Sequence, residues 1–191
     1  MSDPSFVHAA LQLPLMAAAD GLYQSAERLV QQLDFAAQAV MHAVTAGGKV
    51  ICAGEAEAAS LADQAARLLV QGHDRERPPL AGLAIHPAPG QTDLCASLRA
   101  LGHPGDVWLA FSLEREEMDL QAATQLAAEM DLTLICFTGD AARTLGPLLR
   151  DTDVWVPLPG GERPETLYAM AWMALHGLAS AVDAHLLGDA T

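Results

Sequence analysis

Short apolar runs alternate with amphipathic stretches along most of the chain. The apolar runs predict five buried strands, over residues 49–53, 82–85, 107–111, 132–137 and 154–156. Apolar residues at helical spacing predict the helices that follow these strands, over residues 57–71, 92–101, 116–130, a short segment that ends near 149, and 163–187. This alternation predicts a three-layer α/β/α domain with a five-stranded parallel sheet between two layers of helices.

Two further amphipathic helices are predicted before the first strand, over residues 5–33 and 35–45. Pro14 can kink or divide the first helix, and Asp34 can cap the second. Neither has a place inside a strand–helix–strand unit, so both are expected to pack on a sheet face or on another subunit. The length favours a single domain, with N-terminal helices in residues 1–46 and the α/β core in residues 47–191.

The stretch from Gly48 to Ser60 organises the rest of the chain, because it predicts a buried strand, a tight turn at Gly54 and the start of a helix. In open parallel sheets ligands bind at such turns, where helix N-termini offer free N–H groups to anions. Here the turn carries two acids, Glu55 and Glu57. These carboxylates oppose a bound anion, so the turn is a poor phosphate cradle.

Composition narrows the classes of function. The formal net charge is −14 and Lys49 is the single lysine, which disfavours direct binding of DNA or RNA. Three cysteines, Cys52, Cys95 and Cys136, lie far apart in apolar contexts and are interpreted as buried free thiols of a reducing cytoplasm. No secretory segment or transmembrane run is evident, so a cytoplasmic protein without membrane contact is expected.

Several segments resemble the SIS (sugar isomerase) domain family, in the branch that holds phosphoheptose isomerase and DiaA. The resemblance is carried by residues 48–54, 77–80, 99–112 and 137–139, and it extends over nearly the whole chain. It implies a flavodoxin-like fold, a cleft that binds carbohydrate derivatives, and a homo-oligomer, either a dimer or a tetramer. Because these segments are structural, they support fold and kinship more than activity.

The binding motifs depart from the family pattern. Active members carry a Gly-Asn-Gly-Gly-Ser-like turn, where this chain has residues 54–58, and a Ser-x-Ser-Gly-x-Ser-like loop, of which only Ser112 survives. Serine hydroxyls can donate to phosphate, whereas carboxylates can only accept at neutral pH. The resemblance therefore implies a degenerate phosphosugar cleft, formed by Gly54, Glu55, Glu57, Ser112, Glu114 and Arg115.

The positions that carry zinc and the proton in phosphoheptose isomerases are also replaced. By resemblance they align with Gln64 and Leu68 on one helix and with Glu165 and Met173 on the last helix. Leucine and methionine cannot transfer a proton, and an acid–base pair acts as a unit. We therefore expect no catalytic residue, no bound metal and no cofactor.

The last helix carries two further features. Residues 170–175 are apolar almost all round, which favours burial on several sides, most simply at a subunit interface. Near its end, Leu186 and Leu187 resemble the Leu-Phe pair by which DiaA binds the replication initiator DnaA. An equally good interpretation is that both leucines pack back on the domain or on a dimer partner. Seven scattered histidines are interpreted as surface or structural residues.

Three functional hypotheses remain at this point. The first is a non-catalytic SIS-domain protein of DiaA type, which by resemblance binds DnaA and regulates initiation of chromosomal replication. The alternative is a divergent phosphosugar isomerase or phosphosugar-binding protein. The third is an oligomerisation module of the same fold with an unknown partner. The replaced motif residues disfavour isomerase activity, but they do not establish that the chain binds DnaA.

Overall fold

The computed structural model describes residues 4–54, 56–87, 93–114, 118–139, 143–159 and 163–188, except for the side chains of residues 4–7 and 143. Its helices are α1 Pro4–Thr45, α2 Ala59–Gln71, α3 Leu94–Leu101, α4 Met118–Glu129 and α5 Pro164–Leu187. Its strands are β1 Val50–Gly54, β2 Gly82–Ala84, β3 Val107–Ser112, β4 Thr133–Thr138 and β5 Val154–Pro157. Short 3₁₀ helices occupy Ala56–Ala58 and Arg143–Leu148, the second where a short helix is predicted.

The five strands form one sheet in the order β2-β1-β3-β4-β5, and all four pairs are parallel. In register, Cys52 lies beside Leu109, which lies beside Ile135 on the next strand. The predicted α/β class and five-stranded parallel sheet are therefore confirmed. Because every pair is parallel, the carboxyl ends of all strands meet at one edge of the sheet.

Helices cover both faces of the sheet. One core cluster joins α1, α2 and α5 to alternate strand residues such as Val50 and Cys52. The other joins α3 and α4 to the intervening residues, such as Ile51 and Ala53. Burial on both faces explains why the central strands are unbroken apolar runs in the sequence.

The prediction of two N-terminal helices is wrong, because one continuous helix of 42 residues spans Pro4–Thr45 with Pro14 inside it. Asp34 does not cap a second helix: its carboxylate lies 2.7 Å from Nε2 of His185 on α5. Close packing of α1 along α5 stabilises one continuous helix, although Pro14 and Asp34 locally favour a break in it. A Cβ on Gly21 would lie 2.9 Å from Sδ of Met170, so a small residue is needed at this contact.

Within the described ranges, no helix is both long and apolar enough to cross a membrane.

Candidate functional site

The turn after β1 folds back onto the end of the strand. A Cβ on Gly54 would lie 2.4 Å from the carbonyl oxygen of Ala58, so only glycine fits there. Ala56 has a φ of +50°, a left-handed conformation that costs an L-residue about 1–2 kcal/mol. Glu57 is exposed, and its carbonyl accepts a hydrogen bond from the Ser60 hydroxyl at 2.7 Å. The tight turn is as predicted, while Glu55 lies outside the described residues.

The loop after β3 is fixed against the loop after β4 through the backbone. The Ser112 carbonyl accepts from the N–H of Gly139 at 3.0 Å, and a Cβ on Gly139 would lie 2.0 Å from the Leu113 carbonyl oxygen. Ser112 and Leu113 are 5% and 2% exposed, and Leu113 belongs to the core. The retained serine is thus buried, Glu114 is exposed, and Arg115 lies outside the described residues.

These two loops meet at the edge where open parallel sheets bind ligands. Gly54 lies beside Phe111 in the β1–β3 register, so the turns that follow these residues are neighbours. Glu57 and Glu114 both expose carboxylates at this edge. Carboxylates accept but do not donate at neutral pH, and their charge repels an anion. The described part of the cleft therefore disfavours a phosphate ester.

Sequence reasoning missed a histidine–aspartate pair at the same edge. His86 follows β2, and its Nε2 lies 2.8 Å from Oδ1 of Asp63 on α2. Both side chains are substantially exposed. A carboxylate that orients an accessible imidazole is a common acid–base arrangement. The two residues lie 23 positions apart, so no local spacing reveals the pair.

The two α2 positions that by resemblance align with zinc and proton-transfer residues, Gln64 and Leu68, are both buried. Oε1 of Gln64 accepts hydrogen bonds from the Arg67 guanidinium, one of them from Nε at 2.9 Å. Leu68 is 7% exposed and faces the buried side of α5. It lines a cavity of about 20 Å³ with Leu109 and Leu175. A cavity of that size with apolar walls holds one water at most and no substrate.

The two α5 positions lie at the surface. Glu165 is exposed and bonds the Arg163 guanidinium at 3.2 Å. A backbone hydrogen bond lowers the pKa of Glu165, with a smaller contribution from Arg163. Met173 is 60% exposed, so it points away from the core that contains Leu68.

These four positions do not fit a zinc site. One is a buried apolar side chain, one is an exposed thioether, and the other two already bond arginines. Among the described residues no group of three or more histidine, cysteine, aspartate or glutamate side chains is arranged to hold a metal ion.

A buried ion pair ties α5 to the end of α2. Nε of Arg77 donates to Oδ1 of Asp183 at 2.5 Å, and both side chains are almost fully buried. The same guanidinium caps α2 through the carbonyls of Leu68 and Leu69, at 2.9 and 2.8 Å. Burial tends to raise the pKa of Asp183, but hydrogen bonds from Arg77 and two backbone N–H groups outweigh it and lower the pKa. Sequence reasoning missed this contact, which joins residues 106 positions apart.

The predicted partner-binding leucines lie just beyond this ion pair. Leu186 is half-buried and Leu187 is 39% exposed. The next carbonyl, of Gly188, accepts from Nη2 of Arg75 at 3.0 Å. Because α2 and α5 both start at the carboxyl edge of the sheet, these leucines lie at its opposite edge, away from the cleft.

The fold and this edge define an open α/β domain of the kind found in sugar-phosphate isomerases. The phosphoheptose isomerase of Neisseria gonorrhoeae superposes with a TM-score of 0.84 at 20% identity, covering 93% of this chain and 99% of that one. The enzyme of Francisella tularensis gives 0.82 at 18% identity, covering 96% and 99%. These likenesses show the fold.

Sequence comparison assigns the family. The phosphoheptose isomerase of Methylibium petroleiphilum is 36% identical over 185 residues, which cover 90% of each chain. The DnaA initiator-associating protein DiaA of Citrobacter koseri is 30% identical over 146 residues, 71% of this chain and 74% of that protein. No family model matches. The chain belongs to the SIS domain family, in the branch of phosphoheptose isomerases and DiaA.

Proposed function

We propose that this chain is a non-catalytic SIS-domain protein of the DiaA type, which binds the replication initiator DnaA and regulates initiation of chromosomal replication. The absence of catalysis is supported by Leu68, which is 7% exposed. By resemblance, phosphoheptose isomerases have an acid–base group at this position. Met173, at the second such position, is a thioether turned toward solvent. Neither side chain can move a proton.

The partner role is supported by the end of α5. Leu187 is a large aliphatic side chain with 39% of its surface exposed, and Leu186 beside it is half-buried. The helix end is held by the buried Asp183–Arg77 pair and by the Arg75 bond to Gly188. A rigid helix end that presents an aliphatic side chain is a suitable anchor for a protein partner.

A homo-oligomer, either a dimer or a tetramer, belongs to the same proposal. At 1.5 Å per residue, α1 is about 63 Å long, against about 36 Å for α5 on which it packs. The first half of α1 exposes large apolar side chains, at Leu11, Leu13, Leu15, Met16 and Tyr23. Patches of this kind are unusual on soluble monomers and are covered when a second copy docks.

The direct test is binding to purified DnaA from the same organism, measured by biolayer interferometry. The double variant Leu186→Ala/Leu187→Ala is expected to weaken binding at least about tenfold, as for a small anchor cluster. Val70→Ala is the matched control, because Val70 is an exposed aliphatic residue at the end of α2. Unchanged binding in a well-folded double variant would rule out the anchor. A drop in melting temperature of several degrees would show that the leucines are core residues.

The alternative is a divergent phosphosugar isomerase or phosphosugar-binding protein. It is favoured by the accessible His86–Asp63 pair at the ligand edge and by the higher identity to a protein named as an isomerase. Turnover of sedoheptulose 7-phosphate that is lost in His86→Gln would establish it. No turnover above background, in protein that binds DnaA, would support the non-catalytic function.

A further inference from the structure

A half-buried histidine pair joins the loop after α2 to the middle of α5. Nδ1 of His176 lies 3.4 Å from Nε2 of His73, and the two rings meet edge to face at 4.6 Å. The ring of Trp172 stacks on His176 from the preceding turn, at 6.2 Å. Asp74 lies behind His73, with Oδ1 at 3.3 Å from Nε2, and its other oxygen accepts from the Ser180 hydroxyl at 2.6 Å.

The same loop holds the C-terminal turns of α5. The backbone N–H groups of His73 and Asp74 both donate to Oδ2 of Asp183, at 3.1 Å. Arg75 donates to the carbonyl of Gly188, immediately after the last helical residue. The loop therefore connects the histidine pair to the segment that carries the two terminal leucines.

From this geometry we infer that His73 and His176 form a pH-sensitive latch, which holds the 72–77 loop on α5 while at most one ring is protonated. Two imidazolium rings in edge contact repel each other and leave the short N–N approach without a lone pair to accept the proton. Acidification then releases the loop, and the end of α5 loses the hydrogen bonds that the loop supplies. The latch stands on these contacts alone, whereas its effect on partner binding, through Leu186 and Leu187, rests on the proposed function.

The combined effect of the surroundings on His176 has the required sign. Burial lowers the pKa of His176 from its ordinary value of 6.5, and the charges of His73 and Arg67 lower it further, against an opposing contribution from Asp74. The unfolded or opened chain thus binds a proton more readily than the closed one. The latch is fully stable above pH 6.5 and weakens as pH falls below 6.5 through the depressed pKa.

Other charged groups near this part of α5 are engaged elsewhere. Asp183 is paired with Arg77 beneath the loop. On the α1 side, the Asp34 carboxylate pairs with His185 and not with His176. The balance around His176 is therefore set by the loop and by α2.

Trp172 provides a direct reporter, because a protonated imidazole quenches the fluorescence of a stacked indole. In the full-length protein we expect a reversible fluorescence transition with its midpoint below pH 6.5. It should vanish in Trp172→Phe and in His176→Gln, and it should persist in His8→Gln, which changes an exposed histidine on α1. A midpoint at or above 6.5, or a transition that survives in His176→Gln, would overturn the latch.

Amide hydrogen exchange tests whether the loop is released. Across the transition, exchange at residues 73–74 and 183–187 should accelerate by about tenfold per pH unit beyond the intrinsic pH effect, for one proton taken up on opening. Core amides in β3 serve as the internal reference. His73→Gln should reduce the extra acceleration, because burial and Arg67 still act on His176, while the fold, followed by circular dichroism, is kept. Protection that does not change at these amides would refute the inference, whether or not the protein binds DnaA.

Discussion

Replacing Asp183 by asparagine tests the buried pair that ties the last helix to the domain. Asp183 is almost fully buried, and its carboxylate accepts from Arg77 and from the N–H groups of His73 and Asp74. An asparagine oxygen can still accept from the two backbone groups. Asparagine is neutral, however, so the buried Arg77 guanidinium loses its counter-ion.

The expected magnitude follows from that burial. The Arg77 and Asp183 side chains are 1% and 2% exposed, so solvent screens their interaction little. Removing one partner of a buried pair costs about 3–5 kcal/mol. For a protein of this size each kcal/mol lowers the melting temperature by about 2–4 °C, so a fall of about 6–20 °C is expected.

Urea denaturation followed by circular dichroism measures the loss, with an unchanged m-value as the condition for comparison. Glu165→Gln is the matched control, because it removes a carboxylate from an exposed pair and should change little. The difference in free energy of unfolding between Asp183→Asn and the parent should shrink as pH falls below 3.8. The ionised Asp183 stabilises the fold fully above its ordinary pKa of 3.8, and this contribution is lost as pH falls through the depressed pKa. A loss below about 1 kcal/mol would refute the reasoning.

Three further predictions concern the turn, the cleft and the assembly. Ala56→Gly should raise the free energy of unfolding by about 0.5–1 kcal/mol, because relief of the left-handed strain exceeds the entropy that glycine adds to the unfolded chain; a decrease would contradict this. Calorimetric titration with sedoheptulose 7-phosphate should show no saturation at millimolar ligand, since Glu57 and Glu114 repel the phosphate, and a micromolar dissociation constant would contradict it. Light scattering after gel filtration should report at least a dimer, because the first half of α1 exposes large apolar side chains. A stable monomer at micromolar concentration would contradict this prediction.

The sheet could be predicted closely because its signal is local. A central parallel strand is buried on both faces, so it is a contiguous apolar run bounded by turns. The third strand, predicted over 107–111, is observed at Val107–Ser112. The N-terminal helix was predicted less well, because Asp34 and Pro14 are local breaking signals. Contacts between α1 and α5, an element distant in sequence, keep the helix continuous in spite of these two residues.

The sequence names positions for a candidate site, but it does not give the environment of each side chain. The alignment named Leu68 and Met173, yet their burial and exposure depend on how α2 and α5 pack. The Arg77–Asp183 pair joins residues 106 positions apart, and the His73–His176 pair joins residues 103 apart. Contacts across such separations have no periodicity or spacing that a single sequence reveals.

The length of α5 places the cleft edge of the sheet and the helix end with Leu186 and Leu187 far apart. The helix starts at the carboxyl edge, where Leu167 packs against Gly139 beside the ligand loops. It ends about 33 Å further on, at 1.5 Å per residue from Glu165 to Leu187. Charges at the cleft are screened over that distance, since the Debye length in physiological salt is about 8 Å. The carboxylates of Glu57 and Glu114 therefore have little electrostatic effect on the end of α5, which is held instead by Arg77, Asp183 and the loop between α2 and β2.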